Sequence, residues 1–151
     1  MYEPTDHLMR MEQGSDGHWR WQNLAFNFDT VAGIDYEVDV RQPIGQKINI
    51  LRLSNGAPFM LNQSYRVAMN SYRGNGGGEL LTRGAGIPFE ELPRRIVWMS
   101  SKDQRQIIMD YIHAKGTIAP EPHNNWQFVP KAWAEPAIAA DKRLLFPGCH
   151  G

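Results

Sequence analysis

Gly74-Asn75-Gly76-Gly77-Gly78 places four glycines in five residues at the middle of the chain, and no helix or strand continues through such a stretch without a large entropic cost. The chain must change element there. On the N-terminal side the residues alternate, with Tyr65, Val67 and Met69 on one face and Arg66, Ala68, Asn70 and Tyr72 on the other, so the spacing predicts a strand. The first set reads as core. The second ends in an amide, a phenol ring and, one residue on, the guanidinium of Arg73. Such groups hydrogen-bond a heteroaromatic edge, stack on its face and attract an anion. Gly76, Gly77 and Gly78 permit positive φ and let a ligand approach the backbone without meeting Cβ atoms. Amides at a following helix N-terminus would add donors. The run is not a P-loop, because no Lys-Ser or Lys-Thr follows the glycines at the required spacing. Arg66, on a strand surface, reads as a solvated side chain.

Composition fits one soluble domain. A chain of 151 residues, 42% hydrophobic and 21% charged, buries about two-thirds of its unfolded surface. Sixteen basic and sixteen acidic residues give zero formal net charge, so no global field draws in nucleic acid or an acidic membrane. His18-Trp19-Arg20-Trp21 looks like a stacking patch but, without a wider basic excess, reads as amphipathic surface or core edge. The single cysteine, Cys149, excludes an internal disulfide and a cysteine zinc site. No apolar run approaches spanning length, and Met1-Tyr2-Glu3-Pro4 does not open a secretory signal.

Taken in order, residues 1–20 are weakly patterned, 21–147 form the expected domain and 148–151 a tail. Leu24, Phe26 and Phe28 alternate as in a strand. Ile34, Tyr36, Val38 and Val40 alternate with Asp35, Glu37, Asp39 and Arg41, the clearest strand in the chain, with an apolar face and a wet one. Lys47 to Leu53 is another, followed by the hairpin signal Asn55-Gly56. Ala57 to Leu61 contains Pro58 and belongs at an edge if it pairs. With the Tyr65 strand these make an antiparallel meander of four or five strands.

The second half is more helical. Short helices are expected at Glu79 to Thr82 and at Pro88 to Leu92, and a strand at Arg95 to Met99. Ser101 and Gln104 have capping-box spacing before a helix that carries Ile107, Ile108, Tyr111 and Ile112 on one face, read as core, and stops at Gly116. Trp126 and Phe128 alternate in a late strand. Pro130 then opens a helical segment that Pro136 should interrupt, running to about Leu145. The fold class is α+β, a mostly antiparallel sheet covered by helices.

Hydrolytic machinery is missing from this pattern. A two-metal phosphoesterase centre needs several Asp, His and Asn ligands to hold two cations about 3.5–4 Å apart. His7, His18, His113, His123 and His150 are scattered, and although Asp16-Gly17-His18 has Asp-x-His spacing, no Gly-Asp, Gly-Asn-His or His-x-His segment accompanies it. His113 near a helix end reads as structural, and His123 as a loop residue. No Gly-x-Ser-x-Gly is present, and Cys149 reads as an incidental thiol.

Strand, Asn-Ser-Tyr-Arg and Gly-Asn-Gly-Gly-Gly, from Tyr65 to Gly78, resemble the signature of the 5′-nucleotidase C-terminal domain. That domain follows a metallophosphoesterase domain in 5′-nucleotidases, UDP-sugar hydrolases and 2′,3′-cyclic-nucleotide phosphodiesterase/3′-nucleotidases. The resemblance extends through Phe26-Asn27-Phe28-Asp29 and Ala32 to Asp39, and Asn124-Asn125-Trp126 is similar to the ending of the cyclic-phosphodiesterase branch. It covers roughly Trp21 to Leu145.

This resemblance implies a nucleoside-gripping domain whose chemistry belongs elsewhere. No catalytic residue and no cofactor is expected in this chain, and a divalent metal pair is implied for the metallophosphoesterase domain. The base would lie between two aromatic rings, one at Tyr72 and one from a segment upstream of the matched region. Asn70 would make edge contacts or position the loop, Arg73 would meet phosphate or ribose, and Gly76, Gly77 and Gly78 would allow close approach. Gly78 stands where many 5′-nucleotidases carry an Asp that contacts ribose, which favours the 3′-nucleotidase or cyclic-phosphodiesterase branch. The expected partners are a nucleotide or nucleoside, the metallophosphoesterase domain and, through an open sheet edge, a second copy of the chain. Nucleic acid and membrane are not expected. The family implies a periplasmic or extracellular setting, although the chain shows no signal peptide. Retention of the fold for another ligand or for assembly is the alternative, and exposure of Tyr72 distinguishes the two.

Overall fold

A computed structural model describes residues 11–22 and 28–148. The chain divides into two compact units, one formed by Met1–Leu61 with His123–Gly151 and the other by Asn62–Pro122. The α+β class holds. Its strands are fewer than the alternation implied.

The first unit contains the sheets. β1 (Met11–Gln13) and β2 (Trp19–Trp21) pair antiparallel, so the weakly patterned N-terminal segment contains a hairpin. β3 (Ile34–Asp39) is the centre of a three-stranded sheet, antiparallel to β4 (Ile48–Leu53) and parallel to β5 (Trp126–Val129). Alternation along β3 places Tyr36 inward at 5% exposure. Its ring stacks on its register partner Trp126, with centroids 6.0 Å apart and planes 11° from parallel. Phe128 meets Trp126 edge-on at 5.2 Å, and Phe28 lies against both. The other face of β3 is wet and paired across the strands: Arg52 Nε donates to Asp35 at 2.7 Å and Gln127 Nε2 to Glu37 at 2.9 Å.

α4 (Lys131–Leu145) follows β5 across a cis Val129–Pro130 peptide and runs through Pro136 without a break. Helical spacing brings Ala134 and Ala137 onto one stripe, where their small side chains pack with Val40 against Phe128 and Ile138. Asn125 closes the sheet from the side. Its Nδ2 donates to the carbonyls of Val31 and Ile34, both at 2.7 Å, and its own carbonyl accepts from the Tyr36 amide at 2.9 Å.

The second unit is built from short elements: α1 (Ser71–Gly74), α2 (Leu92–Arg95) and α3 (Gln104–Lys115), with 3₁₀ turns at Gly77–Glu79 and Phe89–Glu91 and a π turn at Leu80–Gly84. Several expectations change here. Tyr65 to Asn70 joins no ladder, and its supposed core side chains Val67 and Met69 are 66% and 42% exposed. Arg95 to Met99 is not a strand, since Arg95 ends α2 and the following residues pair with nothing. Ala57 to Leu61 also stays outside the sheet. α3 begins two residues later than Ser101 implied. Asp103 is its cap, accepting from the Gln106 amide at 2.9 Å, because Asp103 and Gln106 repeat the same box spacing with a strong cap residue. The α3 stripe of Ile107, Ile108, Tyr111 and Ile112 is 38–57% exposed and is not core.

Leu24 to Asn27, His7, Cys149 and His150 lie outside the described residues.

Candidate functional site

The Tyr72 turn starts with a cap. Asn70 takes extended dihedrals and its Oδ1 accepts from the Arg73 amide at 2.9 Å, satisfying one of the amides that a helix start leaves without a partner. Asn70 therefore shapes the turn. Arg73 and Gly74 then carry the chain into the glycines, with the Gly76 amide bonded to the Arg73 carbonyl at 3.0 Å.

The next residues adopt conformations that most side chains resist. Gly76 and Gly78 lie at φ 90° and 70°, and Glu79 follows at φ 59°. Glycine is required at Gly77 for a different reason, close approach. A Cβ there would stand 2.5–2.6 Å from Cε2, Cδ2 and the carbonyl oxygen of Tyr72. At Gly76 a Cβ would crowd Leu92 Cδ1 at 3.1 Å and Phe89 Cε2 at 3.2 Å. The phenol ring thus rests on the Gly77 backbone, and Phe89 and Leu92 support the loop at Gly76.

Tyr72 remains 55% exposed. Among the described residues its hydroxyl has no hydrogen-bond partner. Its ring has a cation beside it: Arg73 Cζ is 5.3 Å from the centroid. The Gly77 and Gly78 amides donate to no protein acceptor among the described residues, so the loop presents free donors beside an open ring.

Arg73 differs from a surface anion ligand. It is only 5% exposed, its Nη1 donates to the Gly77 carbonyl at 3.1 Å, and it is engaged further within the protein. Its charge is spent on holding the loop that carries the ring. All six predicted residues, Asn70, Tyr72, Arg73, Gly76, Gly77 and Gly78, fall on one short turn in one unit.

Sequence reasoning passed over Phe89, Leu92 and Glu79. Phe89 and Leu92 were legible only as a short helix after Pro88, and nothing in their spacing reveals that they lie against Gly76. The strained φ of Glu79 had a faint signal, its place directly after a glycine run.

Elsewhere, a groove of about 330 Å³ is lined by Ala32, Gly33, Asp35, Ser54, His123 and Asn125. Two of its polar groups, Asp35 and Ser54, are committed to each other. Arg52 and Ser54 both hydrogen-bond Asp35 and hold its carboxyl below the ordinary range. Among the described residues no three His, Cys, Asp or Glu side chains converge as metal ligands. The donor set of the described residues does not fit a two-metal centre. No helix of the described residues is long and apolar enough to cross a membrane.

Residues 6–83, just over half of the chain, match the family described as 5′-nucleotidase, C-terminal domain. The trifunctional nucleotide phosphoesterase protein YfkN of Bacillus subtilis is 36% identical over 117 residues, covering 70% of this chain and 8% of that protein. The 2′,3′-cyclic-nucleotide 2′-phosphodiesterase/3′-nucleotidase of Haemophilus influenzae is 29% identical over 126 residues, 73% of this chain and 18% of that one. Its namesake in Salmonella typhimurium is 32% identical over 120 residues, 70% and 17%. The chain thus spans less than a fifth of the length of these relatives. No solved structure matches it. The Asn-Ser-Tyr-Arg turn with its glycines lies inside the matched region, and the chain belongs to the 5′-nucleotidase C-terminal domain family.

Proposed function

We propose that this chain recognises the nucleoside part of a nucleotide, as the binding domain of a hydrolase of nucleotide phosphoesters whose metal chemistry is carried outside these residues. The observation that carries the reading is the Tyr72 ring, 55% exposed, without a hydroxyl partner, and seated on a glycine that no other residue could replace without moving it. Membership of the family and the names of the relatives, nucleotide phosphoesterase and cyclic phosphodiesterase/3′-nucleotidase, support the substrate class. In this reading Tyr72 stacks on the base. Asn70 and Arg73 hold the turn in shape, and the free amides of Gly77 and Gly78 meet a polar edge or oxyanion of the ligand. A periplasmic or extracellular setting goes with that family and is proposed with it.

One stacked ring contributes about 1–3 kcal/mol. With two backbone donors the total reaches about −4 kcal/mol, a millimolar dissociation constant. The test is a titration of adenosine, AMP and 3′-AMP into the chain, followed by NMR. Saturable shifts centred on Tyr72 and Gly76 to Gly78, lost in Tyr72→Ala and kept in Tyr72→Phe, are expected. Absence of shifts at millimolar ligand, or shifts unchanged in Tyr72→Ala, would overturn the assignment.

A further inference from the structure

The glycine turn carries a second exposed ring besides Tyr72. Tyr72 lies against Gly77, and Phe89 stands at the residue before it, where its Cε2 and Cδ2 are 3.2 and 3.3 Å from the position of a Cβ on Gly76. Consecutive Cα atoms are about 3.8 Å apart, so the rings flank neighbouring residues of one loop. Both belong to the same unit. Among the described residues they form no aromatic pair with each other.

Phe89 is 68% exposed, yet its backbone is held on both sides. Pro88 enters at φ −55°, the Glu91 amide donates to the Pro88 carbonyl at 2.9 Å, and the Leu92 amide donates to the carbonyl of Phe89. Packing does not account for the ring. Leu92, 3% exposed, already fills the space under Gly76 with its Cδ1 at 3.1 Å from the Cβ position. Phe89 adds one edge to that contact, Cδ2 and Cε2, and the rest of the ring faces outward. An apolar ring on a fixed turn is suited to a flat partner.

The loop is therefore graded in chemistry. From Gly76 to Gly78 it presents Phe89, then Tyr72, then the free amides of Gly77 and Gly78. A nucleotide is graded in the same order, from a flat base to a polar ribose and phosphate. A base stacked on Tyr72 with its polar end at the amides has its far edge directed toward Gly76. A pyrimidine is about as wide as the phenol beneath it, whereas a purine extends further by a fused second ring. We propose that Phe89 contacts this extension and gives the site a preference for purine over pyrimidine nucleotides.

This inference deepens the nucleoside reading and rests on it. It does not restate the resemblance, which puts a second ring upstream of the matched region. Phe89 lies downstream of Tyr72 and beyond residues 6–83, so the contact comes from this chain's own turn after Pro88.

NMR titration of the chain with AMP and with UMP, which share the ribose phosphate and differ in the base, tests the proposal. Phe89→Leu keeps an apolar side chain against Gly76 and removes the ring. It should weaken AMP binding about fivefold or more and UMP binding less than about twofold, so the preference for AMP falls. Phe89→Tyr should restore it. Saturation transfer from the Phe89 ring to the adenine H2 and H8 protons is expected in the unaltered chain, and the Gly76 and Gly77 amide resonances of free Phe89→Leu should stay in place. AMP binding that is lost in Tyr72→Ala but unchanged in Phe89→Leu would overturn this inference and leave the Tyr72 reading intact. Equal weakening of AMP and UMP, with the Gly76 and Gly77 resonances displaced, would also overturn it and make Phe89 a prop of the loop. No binding of either nucleotide to the unaltered chain would overturn both readings.

Discussion

Tyr36 and Tyr72 are held by opposite means. Tyr36 is enclosed by side chains: Trp126 stacks on it, the sheet surrounds it, and its hydroxyl accepts from the Val31 amide at 3.3 Å. Tyr72 has a backbone beneath it, a cation at its face and solvent over more than half of its surface. A ring fixed by its neighbours' side chains has no surface left to offer. A ring resting on a glycine backbone beside a capped turn keeps its orientation and remains available, and the constraint falls on the residues of the turn, which lose their freedom to vary.

The largest effect expected from this contrast is in stability. Tyr36→Ala should cost about 3–5 kcal/mol in urea unfolding, the range for removing a large buried aromatic, whereas Tyr72→Ala should stay within about 0.5 kcal/mol. Equal costs would erase the distinction between the two rings. Gly77→Ala sharpens it from the other side. The new methyl meets the ring and carbonyl of Tyr72 at 2.5–2.6 Å, so the turn should lose about 1–3 kcal/mol. AMP shifts in the NMR titration should weaken at least tenfold, while the resonances of β3 and β5 stay in place. Wild-type binding by Gly77→Ala would mean that the ring does not depend on its glycine floor.

A smaller change is expected at Glu79, whose φ of 59° is unfavourable for a residue with a Cβ. Glu79→Gly should raise the unfolding free energy by roughly 0.5–1 kcal/mol, the relief of strain less the added freedom of glycine in the unfolded chain. A loss instead would show that the exposed pair with Arg83, at 3.4 Å, outweighs the strain. The smallest effect belongs to acid. Arg41 hydrogen-bonds Asp39 and holds its carboxyl well below the ordinary 3.8. A carboxyl depressed in the folded state contributes above its unfolded value, and that contribution is lost as pH falls from about 4 toward the depressed one. Asp39→Asn should therefore lower stability slightly at neutral pH, where this exposed pair contributes, flatten the decline below pH about 4, and converge with the unaltered chain at low pH. An unaltered acid limb would remove Asp39 from the account.

Where a residue's partners are near in sequence or fixed by period, the chain was legible. β3 followed from strict alternation and α3 from its spacing and Gly116, and the glycines marked the change of element, but Tyr72, read as the end of a strand, lies in α1 behind the Asn70 cap. Tyr65 to Asn70 shows the limit. Alternation reports which faces differ, and an extended loop shows the same period as a strand, so only a pairing partner makes the distinction. β3 already has β4 on one side and β5 on the other. The four apolar residues of α3 form a stripe as expected, but a stripe states that burial would be favourable, not that a surface is there to provide it. Arg73 could not have been placed from sequence at all, because its Nη1 bonds a carbonyl four residues ahead that the chain brings back past the positive φ of Gly76.

The parallel pairing of β3 with β5 has a consequence for how the chain acquires its shape. Glu37 and Gln127, hydrogen-bonded neighbours in the sheet, are 90 positions apart. Closing that interval costs on the order of 4 kcal/mol in chain entropy before the ladder returns anything. The β3–β4 hairpin needs only a local turn, so it forms early and waits with one side of β3 unpaired. During synthesis that side stays open until residues 126–129 emerge, at roughly 5–20 residues per second. The second unit is made in this interval, and its own short-range turns draw in much of the intervening chain. The glycine turn lies within that intervening chain, and a compact turn there shortens the distance across which β5 must find β3.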